Sequence, residues 1–175
     1  MERGLRVGLA AGSQVAELAD VAARTFPLAC PPSVSPDDVA AFIAENLSPE
    51  RFADYLADPG RAVLTAVEDG RILGYAMMIR GVPDDPDVSA AVTDRPAVEL
   101  SKMYVLPESH GGAVAAALMA AVLEHAGTFG AASVWLGVNQ RNARAQRFYG
   151  KHGFAITGTK SFRLGGHIEA DYVMV

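Results

Sequence analysis

Apolar and polar residues follow two different periods along this chain, and the switches between them mark out its elements. Leu5, Val7 and Leu9 alternate with Arg6 and Gly8, the pattern of a half-buried strand. Behind Gly12-Ser13, the residues Val15, Leu18, Ala19 and Ala22 recur at helical spacing, with Ser13 as the expected N-cap and Phe26-Pro27 as the end. Residues 27 to 36 hold four prolines and read as a loop. Two start signals follow, each with a serine, a proline at the first helical position and acids in the first turn. Ser35-Pro36-Asp37-Asp38 opens a helix with Val39, Phe42, Ile43 and Leu47 on one face. Ser48-Pro49-Glu50 opens a shorter one carrying Phe52, Tyr55 and Leu56, stopped by Asp58-Pro59-Gly60.

Two strands come next, Ala62 to Val67 and Ile72 to Ile79, joined through Asp69-Gly70, a strong hairpin signal. Residues 81 to 96 are rich in Pro and Asp and read as a loop. A strand from Val98 to Leu106 is closed by Pro107, and Glu108-Ser109-His110-Gly111-Gly112 leads into Ala113 to Leu123, a run without one polar residue. A turn that opens directly into a helix leaves backbone N–H groups pointing outward at the positive end of the helix dipole, a place that suits phosphate. Val134 to Val138 is a further strand, Asn142 to Tyr149 a short helix, and two strands around Gly165-Gly166 finish the chain. Periodicity by itself predicts an α/β chain; the element order, β-α-α-α-β-β-β-α-β-α-β-β, reads as a mixed sheet of about seven strands with helices on both faces.

Composition narrows the class. At 175 residues the chain is one domain, spanning 1–175, and 50% apolar residues with 20% charged fit a folded protein. A net charge of −5 argues against a general nucleic-acid binder and mildly favours a cationic partner. The single cysteine, Cys30, allows no internal disulfide and has no nucleophilic triad around it. The N-terminus lacks the apolar core of a signal peptide, and the longest apolar run is short of a membrane span. A cytoplasmic protein without membrane contact is the expectation. His110, His125, His152 and His167 are scattered, so no metal is expected. Gly111-Gly112 without a Walker lysine or dinucleotide glycine pattern disfavours generic nucleotide binding.

The stretch Val105-Leu106-Pro107-Glu108-Ser109-His110-Gly111-Gly112-Ala113-Val114-Ala115, then Asn142 to Tyr149 and Gly153-Phe154, resembles the GCN5-related N-acetyltransferases (GNAT). His110 stands where that family carries Arg or Gln, and Ala113 where it carries Gly; both leave backbone contacts to a pyrophosphate intact. The resemblance implies the GNAT fold, with the fourth and fifth strands splayed and acetyl-CoA (coenzyme A) between them. It places the pyrophosphate on backbone N–H groups of His110, Gly111, Gly112, Ala113, Val114 and Ala115. The pantetheine arm then pairs with the strand edge at Met103, Tyr104 and Val105, and an N–H of Met103 or Tyr104 polarises the thioester carbonyl.

Asn142, Ala145 and Tyr149 share a helix face at i, i+3 and i+7. By the same resemblance Asn142 would hydrogen-bond the pantetheine, Ala145 would leave room for it, and Tyr149 would protonate the departing sulfur. A phenol is protonated at pH 7, with an ordinary pKa of about 10. Phe148 reads as core. Glu99 resembles the glutamate that deprotonates the amine; a strand-edge Glu facing solvent, or paired with Arg95 or Lys102, is the competing reading, and both stay open. Lys151 points away from Asn142 and reads as solvated. Trp135-Leu136-Gly137-Val138 leading to Asn142, then Gly158-Thr159-Lys160-Ser161-Phe162 and Asp171-Tyr172-Val173-Met174, within the last 80 or so residues, also resemble bacterial spermidine/spermine acetyltransferases. Asp84, Asp85, Asp87 and Glu99 would suit such a polyamine at the cleft mouth. A peptide, protein or antibiotic amine, or a non-catalytic acyl-CoA-binding module, are the alternatives to a small-molecule amine. C-terminal strands in this family often pair between subunits, which admits a homodimer.

Overall fold

The computed structural model describes residues 4–109 and 112–175. His110 and Gly111, two of the expected phosphate contacts, lie outside the described residues. The elements run β1 (Arg6–Leu9), α1 (Val15–Ala29), α2 (Pro36–Asn46), α3 (Pro49–Ala57), β2 (Arg61–Glu68), β3 (Arg71–Arg80), α4 (Pro86–Ala91), β4 (Ala97–Val105), α5 (Ala113–Thr128), β5 (Ser133–Asn139), α6 (Ala143–Lys151), β6 (Ile156–Leu164) and β7 (His167–Met174). Among the described residues seven strands form one sheet in the order β1-β2-β3-β4-β5-β7-β6, and only β4 and β5 pair in parallel.

Helices cover both faces because alternate side chains of the central strands go to different cores. Ala62, Leu64 and Ala66 of β2 pack with Val114, Leu118, Met119 and Val122 of α5. Val63 of the same strand packs with Leu18, Val21, Ala22 and Phe26 of α1 and with Phe52 of α3. Gly74 in β3 permits this closeness: an added Cβ would lie 2.8 Å from the Tyr104 carbonyl oxygen and 3.2 Å from Leu118. No helix among the described residues is long and apolar enough to cross a membrane.

Local signals behave as their chemistry requires. Ser35 Oγ accepts from the Asp38 N–H at 3.1 Å, and Ser48 Oγ from the Arg51 N–H at 3.2 Å, so both caps form. Asp69 and Gly70 both take positive φ, 52° and 77°, as a two-residue hairpin with right-handed twist demands.

Three readings need correction. The first helix does not start at Ser13 or end at Pro27. A short 3-10 turn occupies Gly12–Gln14, where the Gln14 side chain accepts from the Ala11 N–H at 2.8 Å, and α1 continues through Pro27 to Ala29. A proline near a C-terminus costs one intrahelical bond without stopping the last turn. Leu9 is 63% exposed, so β1, an edge strand, buries less than its alternation promises. The segment 81–96 also holds α4, whose start repeats the Ser-Pro signal as Asp-Pro. The Asp85 carboxylate accepts from the N–H groups of Asp87 at 2.9 Å and Val88 at 3.4 Å. Val88, Ala91 and Val92 bury against Trp135 and Val173, and Gly158 of β6 lets α4 settle: an added Cβ would meet Ala91 Cβ at 2.8 Å.

Removing that cap by Asp85→Ala should cost about 1 kcal/mol of unfolding free energy. The change should read as a lower urea midpoint at an unchanged m-value.

Candidate active site

The site begins where two strands part. β4 and β5 share only the pairs Ala97↔Ser133, Val98↔Val134 and Glu99↔Trp135; from Leu136 onward β5 pairs with β7 instead. β4 keeps its partner β3 along its whole length but carries a bulge: Met78 lies opposite Leu100 and Met77 opposite Lys102, leaving Ser101 as the extra residue. A bulge sharpens the local twist and breaks the alternation of faces. Val98, Leu100, Met103 and Val105 all pack in the core on the α5 side, with two residues rather than one between Leu100 and Met103. Glu99, Lys102 and Tyr104 are thereby brought to the opposite face, where all three line one pocket.

Below the bulge, a cavity of about 330 Å³ runs between the strand and the two neighbouring helix starts. Met103, Tyr104 and Val105 form one side; Gly112 and Ala115 at the start of α5 close one end; Asn142, Ala145 and Tyr149 of α6 form the other side. Gly112 holds φ 91°, a left-handed conformation that favours glycine, and the helix opens immediately after it. Val114 turns its side chain into the core and Ala113 is exposed, so both can serve the cavity only through backbone. The Asn142 side chain caps α6, its Oδ1 accepting from the Ala145 N–H at 3.0 Å. Among the described residues its amide NH₂ has no partner, which leaves it for a ligand. An open strand edge, a helix N-terminus and a narrow slot between them fit a long chain ending in phosphates.

A second cavity of about 220 Å³ adjoins the first across Tyr104, Asn142, Ala145 and Tyr149, which line both. Burial pushes the Tyr149 phenol up to about 12, so it holds its proton throughout the neutral range. Tyr104 is raised further, by burial and then by the neighbouring Tyr149 phenol. Glu99 opens into this second cavity. Burial raises its carboxyl above the ordinary range, with Lys102, Lys160 and Arg61 pulling the other way.

Several lining groups had no signal in the linear pattern. Thr25 of α1 lines the first cavity, and Leu28 and Ala29 reach it because the helix runs past Pro27. Phe148, expected as core, packs on the core and lines the cavity as well. The second cavity gathers Phe26, Phe42, Phe162, Lys102, Lys160 and Asp171 from distant parts of the chain. The acidic stretch 84–87 is not there: Asp85 is spent capping α4, which packs on β6 away from both cavities. Cys30 lines the second cavity, but its thiol donates to the Phe26 carbonyl at 3.3 Å and burial raises its pKa, opposite to what a nucleophile needs. Lys151 is exposed.

The profile of the acetyltransferase (GNAT) family matches residues 18–154. An uncharacterized N-acetyltransferase of Mycobacterium tuberculosis is 62% identical over 159 residues, which is 91% of this chain and 94% of that protein. Among solved structures, the PaiA N-acetyltransferase of Thermoplasma acidophilum in complex with coenzyme A superposes with a TM-score of 0.75 at 17% identity, covering 98% of this chain and 97% of that one. An aminoglycoside N-acetyltransferase in complex with CoA gives 0.71 at 18% identity, covering 95% and 98%.

The raised Glu99 carboxyl has a consequence for stability. Ionising it costs more in the folded protein than in the unfolded chain, so its penalty is absent below its unfolded pKa and grows as pH rises through its folded one. Glu99→Gln should therefore raise the melting temperature at pH 7 to 8, and the gain should fade as pH is lowered toward about 4, the unperturbed value.

Proposed function

The chain belongs to the acetyltransferase (GNAT) family and is an N-acetyltransferase that uses acetyl-CoA; from that premise we propose that it acetylates the primary amine of a small molecule directly. The observation that carries this is the cavity that runs from the α5 N-terminus along the open edge of β4 to Tyr149 and continues into a second, polar pocket. One compartment suits the donor and the other the acceptor, with the tyrosine at their junction.

Bound acetyl-CoA supplies an acyl group as a thioester; in the transfer one C–N bond forms and one C–S bond breaks. The chain's part is to hold, orient and move protons. Backbone N–H groups from Gly112 to Ala115 take the pyrophosphate, together with His110 and Gly111, which lie outside the described residues. The β4 edge at Met103, Tyr104 and Val105 aligns the pantetheine, Asn142 donates to it, and Ala145 leaves it space. An N–H of Met103 or Tyr104 receives the thioester oxygen as negative charge gathers there. Glu99 takes a proton from the acceptor nitrogen, directly or through water, and its raised pKa makes it a stronger base than an ordinary carboxylate. Tyr149 presents its hydroxyl proton where the sulfur departs. A phenol raised to about 12 gives that proton up reluctantly, so its contribution is strongest as a hydrogen bond to the developing thiolate.

A polyamine acceptor has less support than the acidic run at 84–87 offered, since those residues stand away from the pocket. Glu169 and Asp171 line it instead, but both already face cations of the chain itself. We therefore assign the acceptor as a small primary amine. A homodimer through the C-terminal strands belongs to the same reading.

Free-thiol release from acetyl-CoA against spermidine, spermine, amino acids, aminoglycosides and short peptides tests the assignment. Turnover of a small amine is expected. Tight acetyl-CoA binding with no turnover across the panel would make this a binding module. Tyr149→Phe should lower turnover by about 100-fold, in the range of one general acid, with acetyl-CoA affinity nearly intact. An equal loss of affinity would remove Tyr149 from that role. Ala113→Glu sets a carboxylate at the exposed first residue of α5, where it suits the helix dipole but repels phosphate. Acetyl-CoA affinity should drop by about tenfold or more, equivalent to about 1.4 kcal/mol, while the fold is as stable or more so. Unchanged affinity would place the pyrophosphate elsewhere.

A further inference from the structure

The charges lining the acceptor-side pocket divide into those the chain answers itself and those it does not. Glu169 accepts from Asn139 Nδ2 at 3.0 Å, pairs with His167, and has Arg141 Nη1 3.9 Å away. Asp171 lies 3.7 Å from Lys160 Nζ. Glu99 and Lys102 stand apart. Among the described residues neither side chain has an ion-pair or hydrogen-bonding partner, and the Lys102 ammonium reaches only the Phe42 ring, 5.8 Å from its centroid. Burial disfavours the charged form of each, raising the carboxyl of one and lowering the ammonium of the other. The Ser101 bulge has put this anion and cation on one face of β4, in one cavity, where each offsets part of the other's burial cost without a direct contact.

One side of that cavity is apolar. Phe26 and Phe42 stack at 4.5 Å between ring centroids, and Phe162 meets Phe42 edge-on at 6.2 Å. A ligand with cations alone would gain Glu99 but meet repulsion from Lys102, whose charge has no direct partner to offset it. A ligand with one amine and one carboxylate answers both unpaired charges at once.

We propose that the acceptor is an amino acid or a close relative of one: a small primary amine that also carries a carboxylate, its nitrogen toward Glu99, its carboxylate toward Lys102, and its apolar part against Phe26, Phe42 and Phe162. This rests on the acetyl-transfer reading and adds Lys102 as the residue that sets specificity. The products are the N-acetyl amino acid and free coenzyme A: the nitrogen loses a proton as it gains the acyl carbon, and the sulfur leaves as the thiol.

The test uses matched sets, each amino acid beside its C-terminal amide and its decarboxylated amine, with aromatic and aliphatic side chains represented. Binding to the coenzyme A-loaded protein is measured by calorimetry, and turnover by thiol release. An ionic hydrogen bond to a buried ammonium predicts that acids bind and react about 10- to 100-fold better than their amides. In Lys102→Met that ratio should collapse toward one, the change falling in KM more than in kcat, and Lys102→Arg should restore part of it. Amides or amines that match the acids in wild-type protein would overturn the proposal, as would a Lys102→Met that lowers acids and amides alike. Preferential binding of acids with no turnover of any amine would sustain Lys102 as the carboxylate site and overturn the acetyl-transfer reading instead.

Discussion

The parting of β4 from β5 after three shared residues is the constraint on which the site depends. A parallel pair that continued would have satisfied its backbone groups internally and left nothing for a ligand. Ending at Glu99↔Trp135, it leaves the lower part of β4 as an edge inside the protein rather than at its rim. Trp135 is anchored by its indole N–H to the Gly81 carbonyl at 3.2 Å and covered by α4, so β5 is held where it diverges. The helix that connects the two strands must start at the mouth of the gap, which brings the N–H groups of α5 to the same place as the open edge.

The bulge at Ser101 does the second half of the work. Strict alternation would have placed Leu100, Lys102 and Tyr104 on one face and Glu99 and Met103 on the other. One extra residue instead leaves Leu100 and Met103 in the core against α5 and sets Glu99, Lys102 and Tyr104 side by side in the pocket. Hydrophobic burial and polar function are thus served by the same strand without either intruding on the other.

Burial then sets the electrostatics of the pocket. Loss of water around the side chains raises Glu99 and lowers Lys102 while keeping the Tyr149 phenol protonated. The same burial that makes these charges costly makes them selective, since a ligand that supplies the missing partner recovers the cost. Glu169 shows the contrasting case. Its hydrogen bonds from Asn139 and His167 hold it below the usual carboxylate range, and it is satisfied before any ligand arrives.

What could be read from the linear chain was whatever depends on neighbours in sequence. Alternation and helical spacing located all seven strands and every helix longer than six residues; the serine caps and the Asp69-Gly70 turn followed from local hydrogen bonding. The glycine turn before Ala113, and Asn142, Ala145 and Tyr149 at one-face spacing, were legible for the same reason. The short α4 was missed because one Asp-Pro start among several prolines looks like a loop until Val88 and Ala91 find Trp135 to bury against. The extent of α1 was misjudged because only packing decides whether a helix survives a late proline. Tertiary structure alone determined the second cavity, which joins Phe26, Phe42, Lys102, Lys160 and Asp171 across the chain, and moved the acidic run at 84–87 away from it. A bulge has no signature in Leu100-Ser101-Lys102 itself: it exists because β3 and β4 each bury a face whose registers differ by one residue, a condition that only the folded sheet imposes.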